Sequence, residues 1–242
     1  MLLRRLIDHV QAQNWTAVAL DFLIVVIGVF MGIQVSNWNA ARADREVERY
    51  YISRLTEEVQ SSIAFNTYLE ETLLRRIDEA RIVRTALEDC SATDPALFGN
   101  TAYNLGKNAP ATLSRGIYVE MLSTGGQGLI RSSAIREIVA DTYEYVELQD
   151  SLFGLMDGDD RFARLAIATG VSMRIDAPFA YDERHPAAAF HFDYDTLCQD
   201  EVFLNAFDQL MTSNFEVLSR YGRVQERLDV LEKSLREYGD TL

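Results

Sequence analysis

The stretch Phe22-Leu-Ile-Val-Val-Ile-Gly-Val-Phe-Met-Gly-Ile33 contains no charged residue and is largely apolar on every side of a helix. With its flanks, a helix over residues 16–36 rises about 30 Å, which matches the hydrocarbon core of one bilayer. Trp15 and Trp38 lie just outside its two ends, where membrane interfaces concentrate tryptophan. We therefore predict one transmembrane helix over residues 15–38, with the lipid bilayer as a partner of the chain.

Three other interpretations compete with the transmembrane helix. A buried helix of a soluble core is one, because the uncharged run is short and Asp21 interrupts its upstream extension. A cleaved signal peptide is another, with Arg4-Arg5 as its basic region and Ala41-Arg-Ala43 as its cleavage site, although polar residues separate the apolar run from that site. A helix lying in the interface is disfavoured, because the run has no polar face.

Two features of the predicted span bear on its partners. Gly28 and Gly32 form a G-x-x-x-G motif, which lets two membrane helices approach closely and predicts self-association through this face. Glycine is, however, common in membrane helices in general. Asp21 is ionisable, and we expect it to reach water because it lies within two turns of the interface. The alternative for Asp21 is a partner in the membrane, either a cation or another helix.

The composition limits the class of protein. The formal net charge is −14, so electrostatic attraction to nucleic acid is disfavoured and we predict no nucleic-acid partner. The hydrophobic content of 48% is ample for a core. All four prolines lie between residues 95 and 186, so both ends of the chain suit long helices.

The periodicity predicts an all-α fold, with the membrane helix continuing into a long helix and an extramembrane helical bundle. Residues 1–14 read as an amphipathic segment on the inner membrane surface, and residues 39–242 as a helical soluble domain. Irregular segments are predicted near 91–112 and 175–196, and no strand of useful length is apparent. Shorter helices are predicted over the ranges 114–123, 132–155 and 162–173, and a C-terminal helix from Cys198 with a break near Ser213.

Residues 40–89 carry a heptad track of apolar side chains that runs from Ile52 to Leu87. Ser62, Asn66 and Arg76 interrupt this track. A heptad track suits either a coiled coil between chains or the core side of a bundle within one chain, and we favour the second.

Two cysteines, Cys90 and Cys198, complete the structural signals. In an exported domain such a pair suggests a disulfide, which would close a loop of about 108 residues and stabilise the fold by up to about 4–5 kcal/mol. Two separate buried thiols are the alternative.

The basic residues beside the span leave its orientation nearly balanced. Arg4 and Arg5 flank one side, and Arg42, Arg45 and Arg49 the other. Long domains cross membranes largely regardless of charge. Because a short N-terminal segment precedes a signal-anchor-like apolar run, we expect the N-terminus inside and the large domain outside, in the periplasm of a bacterium whose inner membrane holds the span.

The strongest candidate for metal binding is a loop with His185, His191, Asp193 and Asp195, whose side chains are of the types that ligate metals. Its spacing matches no established metal site, and a solvated acidic loop is the commoner structure. The run Asp157-Gly-Asp-Asp160 lacks the pattern of a calcium loop and favours a helix-capping turn.

The remaining candidates are weaker. The segment Gly125-Gly-Gln-Gly128 follows a helix rather than a strand, which favours a helix–helix turn over a phosphate-binding loop. Ser114 and Ser123 lack the context of a nucleophile, and Cys90 has no histidine near it in sequence. We assign no catalytic, cofactor-binding or metal-binding residue, and predict a protein that is not an enzyme.

Two stretches carry a family resemblance. One runs from Asp21 through Gln34-Val-Ser-Asn-Trp-Asn39 to Glu58, and the other from Tyr118 through Leu129-Ile-Arg-Ser-Ser-Ala-Ile-Arg136 to Tyr143. Together they resemble a bacterial family of uncharacterised single-span membrane proteins, a domain of unknown function. The resemblance implies a membrane-anchored helical protein and supplies no activity.

These signals favour a non-catalytic scaffold, adaptor or assembly partner of a bacterial envelope complex. A sensory or ligand-binding helical module is one alternative, with the aromatic loop 175–196 lining a pocket. A metal-dependent hydrolase using the His185–Asp195 loop is a second.

Overall fold

A computed structural model describes residues 15–175 and 188–242, and it confirms the all-α prediction. The predicted amphipathic segment 1–14 lies outside the described residues. The helices are α1 (Trp15–Glu88), α2 (Pro95–Asn104), α3 (Gly116–Ser123), α4 (Ser133–Asp159), α5 (Arg161–Gly170), α6 (Tyr194–Leu197) and α7 (Glu201–Gly239). A short 3₁₀ helix spans Gly126–Leu129, and strands β1 (Ser172–Ile175) and β2 (Ala188–His191) form an antiparallel pair.

The chain divides into two compact units between Tyr50 and Tyr51. In the first unit, α1 contains the one helical stretch of the described chain that is long and apolar enough to cross a membrane, with a mean hydropathy of 1.6. None of that stretch is buried. Such exposure disagrees with the interpretation as a buried helix of a soluble core.

The second unit is organised by an antiparallel pair of helices, the remainder of α1 and α7. Near one end of the pair, Gln60 Nε2 donates to Glu232 Oε1 at 2.8 Å. Towards the other end, Arg84 Nη2 donates to Asp208 Oδ2 at 3.0 Å. The heptad track of α1 is therefore used within one chain, as favoured from the sequence.

Two apolar cores lie along this pair of helices. The first core joins α1, α3, α4 and the C-terminal half of α7, and the second joins the end of α1, α2, α5, α6 and the start of α7. The largest fully buried side chains of the first core are Leu55, Leu73, Met121, Ile130, Leu228 and Leu231, and those of the second are Leu87, Phe98, Leu105, Phe203, Phe207 and Leu210.

Part of the segment predicted to be irregular near 91–112 is helical. Residues 95–104 form α2, because Asp94 caps its first turn through a hydrogen bond from Ala96 N to Oδ1 (2.8 Å) and Pro95 occupies the first helical position. An Asp-Pro pair is a helix-start signal as well as a loop signal. Here the pair marks a helix start.

The structure departs from two further expectations. The second irregular segment, near 175–196, lies outside the described residues from 176 to 187, and its described part contains β2 and α6. The antiparallel pair of β1 and β2 lacks any alternating pattern long enough to predict it. The predicted break of the last helix near Ser213 is absent, since α7 is continuous from Glu201 to Gly239. The Ser213 side chain instead donates to Asp160 Oδ2, so its hydroxyl does not compete with the helix backbone.

The two cysteines form a disulfide, which decides between the alternatives left open by the sequence. Cys90 follows the end of α1 with a positive φ of 47°, and Cys198 caps the end of α6. Their Cα atoms are 5.4 Å apart, within the usual range for a disulfide. The bridge ties the end of the long helix to the second core.

Candidate functional site

The described residues of the loop considered for metal binding are dispersed over different elements. His191 ends β2, where it pairs with Ser172, while Asp193 caps α6 through Thr196 and Asp195 lies in the first turn of that helix. His185 lies outside the described residues. Within residues 15–175 and 188–242, no group of three or more His, Cys, Asp or Glu side chains is placed to hold a metal ion.

The aromatic side chains at the end of the same loop fill the second core. Phe192 and Tyr194 pack on Phe98 with ring centroids 4.6 and 5.2 Å away. Phe190 packs against Tyr103 and occupies the space beside Gly99. These rings are therefore used for packing, and this described part of the loop does not support the pocket that the sensory alternative requires.

The other sequence candidates have structural roles. Asp160 lies between α4 and α5 as expected of a capping residue, but its side chain bonds Ser213 and Gln209 on α7 rather than the helix end. Gly125, with a φ of 74°, ends α3 and begins the 3₁₀ helix, so the glycine segment is the helix–helix turn that we predicted. Ser114 donates its backbone N–H to Ser62, and Ser123 bonds the backbone of its own helix.

The carboxylate of Glu58 on α1 joins two other elements, α3 and α4. Its Oε1 accepts from Tyr143 Oη at 2.6 Å, and its Oε2 accepts from the backbone N–H of Ile117 at 2.8 Å. Since Ile117 lies in the first turn of α3, the carboxylate also compensates the positive end of that helix. Burial, followed by the bond to Glu58, raises the pKa of Tyr143, whose ring stacks on Tyr118 at 4.0 Å. The Tyr143 phenol therefore keeps its proton, and the pair suits a structural role better than proton transfer.

The polar interruptions of the heptad track hold the segment that connects α2 and α3. Asn66 makes two hydrogen bonds with the backbone of Thr112, at 2.7 and 2.9 Å, and Ser62 accepts from Ser114 N at 3.1 Å. Arg76 donates to the carbonyl of Lys107. These side chains satisfy backbone groups of a non-helical segment packed against α1, which a fully apolar track would leave unpaired.

A different feature is the candidate for a functional surface. Phe162 and Leu165 of α5 are 81% and 61% exposed, and Val202 at the start of α7 is 68% exposed. We call these three residues the apolar patch. Phe162 and Leu165 lie on the α5 face that continues, one turn later, to Ala166 and Thr169.

Val202 of the apolar patch lines a surface cleft of about 340 Å³ between α5, α6 and the start of α7, and the α5 face that carries Phe162 and Leu165 continues into this cleft. Ala166, Thr169 and Val202 line the cleft, and Phe203 and Leu197 form its floor with side chains from the second core. Two carboxylates, Asp193 and Asp200, lie in the same lining, where each caps a helix. The cleft thus combines apolar area with negative charge, which suits a partner segment with apolar and basic side chains.

Sequence analysis assigned residues 162–173 to a helix but did not identify this surface. Ala163 and Ile167 supply the buried face of α5, so Phe162 and Leu165 are additional apolar residues that the core does not need. A helix with apolar residues on both faces is a signal that could have identified the patch.

Fold and surface together define a helical protein with one candidate membrane span and an exposed apolar patch. Comparisons with protein-family models, curated proteins and solved structures gave no match to this chain. The family resemblance stays a prediction.

Proposed function

We propose that this chain is a membrane-anchored, non-catalytic adaptor of a bacterial envelope complex, and that it binds its protein partner through the apolar patch and the adjacent cleft. The observation that carries the proposal is the exposure of Phe162, Leu165 and Val202 beside a cleft with two carboxylates. Exposed aromatic and aliphatic side chains next to a cleft are typical of the buried centre of an interface.

The proposed location is the periplasmic side of the inner membrane, with residues 15–38 spanning the bilayer. Two observations support it. The apolar part of α1 is exposed, as expected of side chains that contact lipid, and Ala41-Arg-Ala43 lies inside the continuous helix α1 rather than in an extended segment. The disulfide between Cys90 and Cys198 favours an oxidising compartment.

The partner should present an apolar side chain to the cleft and arginine or lysine to its carboxylates. Asp193 and Asp200 already accept hydrogen bonds from backbone N–H groups at the starts of their own helices. Their charges would therefore orient the partner and speed its association more than they would raise its affinity. Burial of the apolar patch would supply most of the binding free energy.

Native mass spectrometry of the full-length protein, purified from its own host in mild detergent, tests the proposal. We expect a second polypeptide at fixed stoichiometry in the wild type, and its loss in the variant Phe162→Ser/Leu165→Ser. The matched control is Leu148→Ser/Val230→Ser, which replaces two exposed apolar residues elsewhere in the second unit and should retain the partner. Two copies of the chain per complex would support the self-association proposed for Gly28 and Gly32.

Three results would contradict the adaptor function. A wild-type chain that is purified without a second polypeptide would contradict the adaptor function. Equal loss of the partner in both double variants would show that binding does not depend on the apolar patch. A stoichiometric small-molecule or metal adduct on a chain that lacks a second polypeptide would favour the sensory module or the hydrolase instead.

A further inference from the structure

One face of α1, directly after the apolar stretch, carries an aromatic side chain and three arginines. Trp38, Arg42, Arg45 and Arg49 recur at 4-3-4 spacing, which places them within about 60° of one another around a helix. All four are exposed, Trp38 by 64%. We call them the basic face.

One acidic side chain, Glu46, lies beside the basic face. The basic face surrounds a surface cavity of about 290 Å³, to which Glu46 also contributes. Arg42 Nε lies 3.4 Å from Glu46 Oε1, and both side chains are about two-thirds exposed, so this ion pair is weak. Arg45 and Arg49 make no ion pair with any described residue. Asp44 and Glu48 lie outside the 60° arc of the basic face, by helical spacing.

We propose that the basic face binds the phosphates of anionic phospholipid headgroups. The inference deepens the proposed function, because it rests on insertion of residues 15–38 in a bilayer. One guanidinium group can donate two parallel hydrogen bonds to a phosphate group. A long arginine side chain can also extend along its helix so that the charged end reaches the membrane interface. In a chain with a net charge of −14, three arginines on one face next to a tryptophan indicate a local anionic ligand.

The position of the basic face along the helix favours lipid over a soluble anion. At 1.5 Å per residue, Arg42 and Arg45 lie about 6 and 10 Å beyond Trp38. A headgroup layer is roughly 5–8 Å thick, and a flexible arginine side chain can reach back into it. The adjoining side chains from Phe22 to Val35 are exposed and apolar, so they suit the acyl chains of the same lipids.

The three arginines should not contribute equally. Arg49 lies about 16 Å beyond Trp38 and so about 8–11 Å outside the headgroup layer, a separation of about one Debye length. Arg42 and Arg45 therefore bind phosphate directly, whereas Arg49 adds only a weak long-range attraction.

Fluorescence quenching of Trp38 by brominated lipids tests this site. The full-length variant Trp15→Phe leaves Trp38 as the sole tryptophan, since the chain has two. It is reconstituted in vesicles of phosphatidylcholine and phosphatidylglycerol, with bromine on the acyl chains of one lipid or of the other. Because the quencher is carried by the lipid tail, free phosphate cannot produce the signal.

We expect phosphatidylglycerol to be enriched about fivefold near Trp38 over its share of the bilayer, and this enrichment to fall towards one in Arg42→Gln/Arg45→Gln. Arg49→Gln should lower it less. The matched control Arg75→Gln/Arg161→Gln removes the same charge from exposed positions of the second unit and should keep the enrichment.

Equal quenching by the two lipids in the parent protein would overturn the headgroup site while leaving the membrane anchor intact. An equal loss of enrichment in the control would also overturn it, because the effect would then follow net charge alone. If neither lipid quenched Trp38, the membrane anchor of the proposed function would itself fail.

Discussion

Asn66 illustrates what a single residue can do in this fold. In the sequence it weakens an apolar heptad track, and in the structure it is 1% exposed and bonds both backbone groups of Thr112. The side chain that interrupts the apolar pattern thus supplies hydrogen bonds to backbone groups of a buried non-helical segment. Its partner lies 46 residues away in sequence, so no local signal could predict the pairing.

Tyr143 gives a pH-dependent prediction at the residue scale. Its pKa is raised in the folded state by burial and by the bond to Glu58, so the folded protein keeps the phenolic proton that the unfolded chain releases near pH 10. Its contribution is therefore fully present below pH 10 and is lost as the pH rises. From pH 9 to pH 11, the wild type should lose about 1.4 kcal/mol more stability than Tyr143→Phe.

Thermal unfolding of the full-length protein in detergent, followed by circular dichroism at both pH values, measures this difference as about 3–6 °C in Tm. Tyr68→Phe is the matched control, because Tyr68 is 60% exposed, and it should follow the wild type. If Tyr143→Phe also followed the wild type, the pKa of Tyr143 would not be raised in the folded protein.

At the scale of elements, the sequence predicted long periodic helices better than short elements. The apolar residues of the heptad track of α1, from Ile52 to Leu87, are largely buried, as their spacing indicated. In contrast, β1 and β2 have four residues each, and their pairing depends on Phe190 packing beside α2. Short elements fixed by tertiary contacts leave little trace in local sequence.

Two glycines on different helices give a matched pair of substitutions. A Cβ atom on Gly99 of α2 would lie 2.4–2.6 Å from three atoms of Phe190, so Gly99→Ala should destabilise the protein by about 1–3 kcal/mol. A Cβ atom on Gly222 of α7 meets nothing within 4 Å, so Gly222→Ala should stabilise it by up to about 1 kcal/mol through helix propensity.

Urea unfolding of the two variants and the wild type measures the change in the free energy of unfolding, which should have opposite signs in the two variants. A neutral Gly99→Ala would contradict the packing of β2 against α2. A destabilised Gly222→Ala would mean that the open face of α7 is covered in the full-length protein.

At the scale of the whole molecule, long-range pairing decides the fold of the second unit. Both cores use α1 and α7, whose paired residues lie more than 100 positions apart, as Arg84 and Asp208 do. The disulfide joins residues separated by 108 positions and stabilises the fold by up to about 4–5 kcal/mol in the chain-entropy model. Composition and periodicity predicted the helices. The apolar residues on both faces of α5 signal a surface of this kind, but which of the two faces is left exposed depends on how α5 packs.

We propose that the apolar part of α1 anchors a helical domain outside the cytoplasm. Protease treatment of intact spheroplasts from the native host, with detection of a C-terminal epitope in the membrane fraction, measures both the anchoring and the side of the domain. We expect the epitope to sediment with membranes and to be removed by protease before lysis. An epitope that stays protected until lysis would reverse the orientation, and one found in the soluble fraction would contradict the anchor.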